Sequence, residues 1–362
     1  MYGAAFSLYS GKLRSYLRQK SIPFVERTPS VLTYQRFIVP RTGVRFIPVL
    51  QTPDDEVLQD TTAIIDALES RYPNPGVYPS TPRQHLAALL LELYGDEWLL
   101  LPAMHYRWNF PEHNQPGINE QFGAMAFPWL PRLLQRVLGQ KLGARFHGLV
   151  PRLGISAATI PAIEASYQDL LADLNRHFSA HDFLFGARPS IGDFGLIGPL
   201  YAHLYRDPYP GQMMRAVAPA VAAWVKRMQS ATPATGEFLA DDELPATLWP
   251  VLQRMATEQV PVLQETECAL VQWARQQPPG SEVPRTLGEH SFCIGSAQGR
   301  RMLLPHALWR WQRPREYLQT LAGPERDQAL ELATRLGLHS ALTAVPTLRI
   351  ERQRNRFVLA AG

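Results

Sequence analysis

The chain has 362 residues, a length that predicts two or three domains. With 46% hydrophobic residues, 8 Trp and 15 Phe, its composition excludes a disordered protein. No apolar run is long enough to span a bilayer, and the charged segment Met1–Arg18 is not typical of a signal peptide. The net charge of +4 comes from scattered basic residues, and Cys268 and Cys293 have neither a metal-binding nor a redox spacing. We therefore expect a metal-free protein of the reducing cytoplasm, without a membrane partner.

The first eighty residues combine short apolar runs with two helical patterns. In chain order, the predicted elements are a strand at 4–9, a helix at 11–20, a strand at 24–26, a loop containing Pro40 and Gly43, strands at 46–50 and 56–58, and a helix at 61–71. This order is that of a thioredoxin-like unit. Three breakers within Tyr72–Gly76 stop the last helix and predict a linker.

Two stretches of this unit predict a binding site. Pro48 lies within the apolar run Phe46–Leu50, and because proline cannot donate to a sheet ladder, this run either lies at a sheet edge or breaks the pairing there. Ile47 before it is extended, and its backbone is available to pair with an extended peptide. Further on, Asp60 or Thr61 caps a helix whose free N–H groups attract a carboxylate. Together the two stretches suit a small acidic peptide.

From residue 80 to about 278 the pattern is helical. The predicted helices are 85–101, 119–142 with a break near Pro128 and Pro131, 160–178, 194–205, 220–229 and 246–276. The fourth follows Ser190-Ile191-Gly192-Asp193, a capping box in which the side chains of Ser190 and Asp193 each satisfy an N–H group of the other residue. We interpret this region as an all-helical domain.

A second linker at 277–281 precedes a tail of mixed character. Its predicted elements are strand-like runs at 290–294, 302–304 and 347–359, and helices at 307–321 and 324–336. We therefore predict three domains, at 1–78, 80–278 and 280–362, the last being a small α+β extension. The arginines around Trp309 and Trp311 could accompany stacking on bases, but a charge run is more often an ion-paired helix face, so we expect no nucleic-acid partner.

Four motifs, in this order, resemble those of the soluble glutathione transferases. They are Ser7–Arg14 (SLYSGKLR), Ile47–Leu50 (IPVL), Leu58–Ile64 (LQDTTAI), and Phe183–Gly186 (FLFG) followed by Pro189–Phe194 (PSIGDF), and Pro219–Trp224 matches a further helix start. The resemblance covers roughly residues 4–230. It implies a thioredoxin-like domain and an all-helical domain, glutathione as co-substrate, and a homodimer as the common assembly.

The resemblance implies that Ser7 activates the glutathione thiol. A thiol at a helix start gains from a hydroxyl hydrogen bond and from the positive end of the helix, and both favour the thiolate. The structural alternative is that Ser7 only caps the first helix. Ser10 is a second candidate but is expected as the N-cap, and Tyr9 is expected to pack or line the pocket. Phe6 stands at the position of the tyrosine-type members and has no hydroxyl.

For binding, the resemblance assigns Ile47, with Pro48 after it, to backbone pairing with the cysteinyl part of glutathione. It assigns the Asp60 carboxylate to the γ-glutamyl amino group, and the N–H and hydroxyl of Thr61 to the γ-glutamyl carboxylate. Leu8 replaces the usual proline of the family, and Asp60-Thr61 replaces Glu-Ser. These departures leave room for a member without turnover.

A polar and aromatic cluster is the candidate for the electrophile pocket, formed by His105, Tyr106, Arg107 and Trp108. The alternative is a helix end whose polar groups are satisfied internally. The sequence as a whole predicts a glutathione transferase-like enzyme that acts on a hydrophobic electrophile, and the alternative is a non-catalytic binding or scaffold protein with the same fold.

Overall fold

A computed structural model describes residues 1–344 and 348–360. The chain forms two compact units, each assembled from separate segments. Unit 1 comprises residues 1–76, 100–151 and 197–234, and unit 2 comprises 77–99, 152–196 and the described part of 235–362. The units cut across the domains expected at 1–78, 80–278 and 280–362, and that division stays a prediction.

In unit 1, the N-terminal segment is organised around a small sheet. Strands β1 (Val49–Gln51) and β2 (Val57–Gln59) pair antiparallel, and they overlap the strands predicted at 46–50 and 56–58. Tyr2 extends the sheet by a parallel bridge to Arg27 and an antiparallel bridge to Val49. The strands predicted at 4–9 and 24–26 are wrong, because a turn follows Ala4 and pairing on the other segment is limited to the single bridge of Arg27.

The helices of this segment are α1 (Leu8–Gln19), α2 (Val31–Thr33), a π-helical turn Tyr34–Ile38, α3 (Val39–Thr42) and α4 (Thr61–Arg71). Helix α4 has the predicted bounds. The loop predicted around Pro40 is helical instead. Ser30 caps its start by accepting the N–H of Thr33, and Gly43, with φ of 74°, ends it in the left-handed conformation that glycine adopts without strain.

The other helices of unit 1 are α6 (Leu100–Trp108), α7 (Pro111–Ala126), α8 (Arg132–His147), α11 (Pro208–Val217) and α12 (Pro219–Met228). Helix α10 (Ile191–Ala202) belongs to this unit only from Ile197 onward. The predicted break near Pro128 and Pro131 is confirmed, since α7 and α8 form a hairpin around it. The two helices pack closely: a Cβ on Gly139 would lie 1.9 Å from the Asn119 carbonyl oxygen.

Unit 2 contains α5 (Pro82–Leu93), a π-helical turn Tyr94–Trp98, α9 (Ile160–Ala180), the start of α10, α13 (Trp249–Glu258) and α14 (Val260–Ala274). The predicted capping box is confirmed: the Ser190 N–H donates to the Asp193 carboxylate at 2.9 Å, and the Asp193 N–H donates to Ser190 Oγ at 3.4 Å. The single helix predicted over 246–276 is two helices that meet at Gln259.

The C-terminal residues of unit 2 form β3 (Glu289–Ile294), β4 (Ala297–Met302), α15 (His306–Thr320), α16 (Gly323–Arg335), α17 (His339–Thr343), β5 (Ile350–Gln353) and β6 (Arg356–Leu359). Thr347, expected to begin the last strand-like part, lies outside the described residues. Helices α15 and α16 pack on α5, so the tail is part of the same compact unit as this helix.

Ion pairs connect α15 to two neighbouring elements of unit 2, the turn Tyr94–Trp98 and helix α14. Arg310 pairs with Asp96 and, through Nε at 3.1 Å, with Glu97. Arg315 makes a two-pronged pair with Glu267 at 2.8 and 2.9 Å. Arg310 and Arg315 of the basic cluster are therefore buried and ion-paired, which agrees with the interpretation of this cluster as an ion-paired helix face.

In the part of the chain that the structure describes, no helix is both long and apolar enough to cross a membrane.

Candidate functional site

Three segments of unit 1 leave the small sheet at the same end. Val49 lies between two partners: Tyr2, with reciprocal backbone hydrogen bonds of 2.7 and 3.0 Å, and Gln59, its register partner in β2. Both pairings are antiparallel. The residues after Tyr2, those before Val49 and those after Gln59 therefore emerge together. These segments carry five predicted site residues, Ser7, Ile47, Pro48, Asp60 and Thr61.

Ser7 is the N-cap of α1. Its backbone is extended, with φ −89° and ψ 128°, and its Oγ accepts the Ser10 N–H at 3.4 Å. The side chain is half-buried, and no described residue accepts the Ser7 hydroxyl hydrogen, which leaves this hydrogen for a ligand. The cap role and a thiol-activating role are therefore compatible at this position.

The two alternates to Ser7 are placed differently. Ser10 is not the N-cap, contrary to expectation: it lies inside α1, is fully buried, and its Oγ accepts the Ala4 N–H at 3.2 Å. A hydroxyl in this setting supports the turn before the helix. Tyr9 is half-buried on the first turn of α1.

Ile47 precedes Pro48 by a cis peptide bond. Ile47 is half-buried and Pro48 is buried. Among the residues that the structure describes, none hydrogen-bonds to the backbone N–H or C=O of Ile47. Val49 is paired on both sides, so the run is not a sheet edge, and the backbone without sheet partners is that of Ile47 before Pro48.

At the start of α4, Asp60 is the N-cap and holds an unusual backbone conformation, with φ 74° and ψ 129°. Its Oδ1 accepts the N–H groups of Thr62 at 2.9 Å and Ala63 at 3.4 Å. Thr61 is only 1% exposed, and its Oγ1 has no hydrogen-bond partner within the described chain. A strained residue next to an unsatisfied buried hydroxyl, at the positive end of a helix, is an arrangement typical of a ligand site.

The residues predicted to line an electrophile pocket are buried, and their role there stays a prediction. His105, Tyr106, Arg107 and Trp108 all lie at the end of α6, and none is more than 6% exposed. His105 Nδ1 lies 2.8 Å from the Asn109 amide nitrogen, and Tyr106 stacks on Phe110 at a centroid distance of 5.6 Å. The alternative named from sequence, a helix end with internally satisfied groups, therefore describes His105, Tyr106 and Arg107. The Trp108 indole is buried too, although its N–H has no partner among the described residues.

Arg107 holds the backbone next to Ser7 through a buried ion pair. Its Nε and Nη2 donate to the two carboxylate oxygens of Asp207 at 2.6 and 2.8 Å, and its Nη1 donates to the Phe6 carbonyl at 3.0 Å. Both partners of the ion pair are buried. The guanidinium thus fixes the residue immediately before Ser7.

His203 lies near this ion pair, and its Nδ1 is 3.1 Å from the Ala103 carbonyl oxygen. Burial, followed by the nearby Arg107 charge, lowers the pKa of His203 well below its usual value, so its imidazole is neutral at neutral pH. Sequence reasoning missed Asp207 and His203, because no local pattern connects α6 to residues a hundred positions later.

Within residues 1–344 and 348–360, no group of three or more His, Cys, Asp or Glu side chains is arranged to hold a metal ion.

Comparison with protein families identifies the kind of domain that this sheet and the segments around it form. Residues 1–76 match the glutathione S-transferase N-terminal domain, and residues 157–227 match the glutathione S-transferase C-terminal domain. The two matched segments support an assignment to the glutathione S-transferase family, with a thioredoxin-like N-terminal domain and a helical C-terminal domain. Neither match extends into the tail.

Several solved structures are similar to this chain at low identity. A glutathione S-transferase from Methylobacterium radiotolerans, in complex with glutathione sulfonate, is 19% identical over 66% of this chain and 96% of its own, with a TM-score of 0.39. A glutathione S-transferase-like protein from Pseudomonas syringae is 20% identical over 67% and 76%, with a TM-score of 0.42. At such values these structures add nothing to the family assignment. The search of curated proteins finds no match.

Proposed function

We propose that this protein binds glutathione at the end of its N-terminal sheet where the segments after Tyr2, before Val49 and after Gln59 emerge together. We propose further that it activates the glutathione thiol for attack on a hydrophobic electrophile. Family membership supplies the class of ligand. The observation that carries the proposal is Thr61, whose buried Oγ1 has no partner in the described chain at the N-terminus of α4.

The α4 start suits the γ-glutamyl end of glutathione. Asp60 already accepts the N–H groups of Thr62 and Ala63, which leaves the N–H and hydroxyl of Thr61 as donors for the ligand carboxylate. The Asp60 carboxylate offers a charge-assisted hydrogen bond to the ligand amino group. The unpaired backbone of Ile47 then pairs with the cysteinyl part, as in strand addition.

Ser7 completes the site at the sulfur. The thiol loses its proton to solvent, and the Ser7 hydroxyl donates a hydrogen bond to the resulting thiolate while keeping its own proton. The positive end of α1 favours the same charge. The thiolate sulfur then forms a bond to the electrophilic carbon, and the leaving group departs with the electron pair of the broken bond.

A binding protein without turnover is the second candidate. The burial of His105, Tyr106, Arg107 and Trp108 supports it, because these side chains offer little exposed surface to a second substrate. The two candidates share the glutathione site and differ in the second substrate.

Assembly and location are part of the proposal. Members of the family are commonly homodimers, and we infer a cytoplasmic homodimer that conjugates electrophiles in detoxification. Sedimentation at several protein concentrations tests the dimer.

Calorimetric titration with glutathione tests the binding site. We expect Thr61→Val to weaken binding by about tenfold, since the γ-glutamyl carboxylate loses a charge-assisted hydrogen bond of roughly 1.5 kcal/mol. The control is Thr257→Val, which removes an exposed hydroxyl that donates to the Gln253 carbonyl. Equal binding by the parent and Thr61→Val would refute the site. Binding without conjugation of an aryl halide would favour the second candidate.

A further inference from the structure

Helix α8 presents its small residues to the protein and its large apolar residues to solvent. Its buried positions are Gln135, Gly139 and Gly143. Eleven of its sixteen residues are exposed, including Leu133 at 75%, and Leu134 and Val137 at 48% each. A helix that folds against its own protein normally buries its apolar stripe, so this orientation is the reverse of the usual one.

Close packing against α7 fixes this orientation. The Gly139 position has Asn119 and Gly123 backbone atoms at 1.9 and 2.7 Å from where a Cβ would stand. A rotation that turned Leu133 inward would place a branched side chain in this gap, which has no room for a methyl group. The exposed leucines are therefore a stable property of the hairpin.

The same helix is basic. Arg132, Arg136, Lys141 and Arg145 are exposed on it, and the sequence from 121 to 163 contains no Asp or Glu. Trp129 and Phe146 add exposed aromatic rings at the two ends. Exposed apolar residues flanked by basic ones, with no acidic residue on the helix itself, form the pattern of a helix that lies in a membrane interface.

We propose that the α8 surface, formed by Leu133, Leu134 and Val137 with the four basic residues of the helix, docks on an anionic lipid surface. Charge complementarity selects this partner, since anionic headgroups match a face that carries only positive side chains. The sequence suggested no membrane partner because no segment spans a bilayer, but interfacial docking needs no spanning segment.

A second copy of the chain fits this surface less well. In a two-fold contact the same patch meets itself, so Arg132, Arg136, Lys141 and Arg145 would face like charges. An amphipathic peptide is disfavoured as well, since such a ligand needs a groove, and α8 is a protruding helix with most of its circumference exposed.

Co-sedimentation with lipid vesicles tests the proposal on the full chain. We expect binding to phosphatidylcholine–phosphatidylglycerol vesicles that falls steeply with salt, and much weaker binding to phosphatidylcholine alone. Arg136→Gln with Lys141→Gln should weaken binding by about 25-fold, because each basic residue contributes about fivefold at an anionic surface. Leu133→Glu with Val137→Glu should abolish it, since both the apolar contact and the charge match are lost.

Matched variants control for net charge and for exposed apolar area. Arg176→Gln with Arg300→Gln removes the same charge from exposed positions elsewhere, and Val217→Glu replaces an exposed apolar residue of α11. Both should bind vesicles like the parent. Absence of vesicle binding by the parent overturns the proposal. A parent dimer that dissociates on Leu133→Glu also overturns it, by assigning the surface to a second copy. Neither result depends on glutathione binding, which is measured separately.

Discussion

Arg107 donates from Nη1 to the carbonyl oxygen of Phe6 at 3.0 Å, which places a buried cation one residue before the N-cap of α1. The same guanidinium is held by both carboxylate oxygens of Asp207. The position of Ser7 is thus set by α6 and by the start of α11, two elements that are distant from it in the sequence.

Asp207→Asn should destabilise the protein by about 3–5 kcal/mol, because it leaves the Arg107 charge buried without its counterion. Asp55→Asn breaks the exposed pair with Arg41 and should cost at most about 1 kcal/mol. Urea unfolding measures both. A loss for Asp207→Asn no larger than that of the control would show that the buried pair does not hold this region.

Replacing Ser7 separates capping from thiol activation. Ser7→Ala should lose about 1 kcal/mol of stability, whereas Ser7→Gly should lose only a few tenths, because glycine is tolerated at an N-cap. Both remove the hydroxyl, so both should raise the pKa of bound glutathione thiol and slow conjugation to the same extent. The thiolate absorbance during a pH titration measures the pKa. A Gly variant with parental thiol pKa would limit Ser7 to capping.

The buried pairs of α15 contribute more than the exposed pairs of the tail. Arg310→Met takes the cation away from the buried carboxylates of Asp96 and Glu97 and should cost about 3–5 kcal/mol. Arg356→Met breaks an exposed pair with Glu282 and should cost about 0–1 kcal/mol. Thermal and urea unfolding compare the two. Similar losses for both variants would contradict the tail's place in the core of unit 2.

Stability should fall on acidification through two buried histidines. Burial lowers the pKa of His85 and of His177 to about 4, against 6.5 for the free side chain. Between these values the unfolded chain takes up protons that the folded chain refuses, so the free energy of unfolding falls as the pH drops. Each group should contribute a loss of about 2 kcal/mol between about pH 7 and 5.

His85→Gln should therefore show a smaller loss of stability over this interval than the parent, although it is less stable at neutral pH because it loses the stack on Tyr317. Urea unfolding at the two pH values gives the difference. The raised pKa of Glu258, caused by burial, acts in both proteins and cancels in the comparison. An unchanged pH dependence would contradict the assignment of a neutral His85.

Replacing glycines of α7 and α8 by alanine tests how closely the two helices pack. Gly139→Ala places a methyl group against the backbone of α7 and should cost about 1–3 kcal/mol through overpacking. Gly117→Ala in α7 has only Gln121 Nε2 nearby, at 3.8 Å, and should stabilise by about 0.5–1 kcal/mol. Thermal unfolding distinguishes the two. A neutral Gly139→Ala would mean that the hairpin can open without loss.

Local signals decided which parts of the fold could be predicted. Helix α4 has the predicted bounds because Asp60 caps it and Tyr72-Pro73 stops it, both within the segment. The Ser190–Asp193 box is equally local. The helical turns over 31–42 were missed because Pro40 and Gly43 suggested a loop, whereas the proline is accommodated in the first turn of α3.

The same distinction between local and long-range signals applies to the residues of the candidate site. The N-caps Ser7 and Asp60, and Thr61 as the first residue of α4, could be found because a helix start is encoded by neighbouring residues. The role of Arg107 could not, since its partners Phe6 and Asp207 are about a hundred positions away on either side. The polar character of the α6 end was visible in the sequence, but burial depends on tertiary packing.

The segmented make-up of the two units has a consequence for synthesis on the ribosome. All of unit 1 has been translated once residue 234 is made, so this unit can close first. Helix α5 is made early, but the arginine that neutralises Asp96 is translated only at position 310. Until then, the nascent chain carries an acidic helix end without its counterion, and a stop codon before this point leaves a product that cannot complete its second unit.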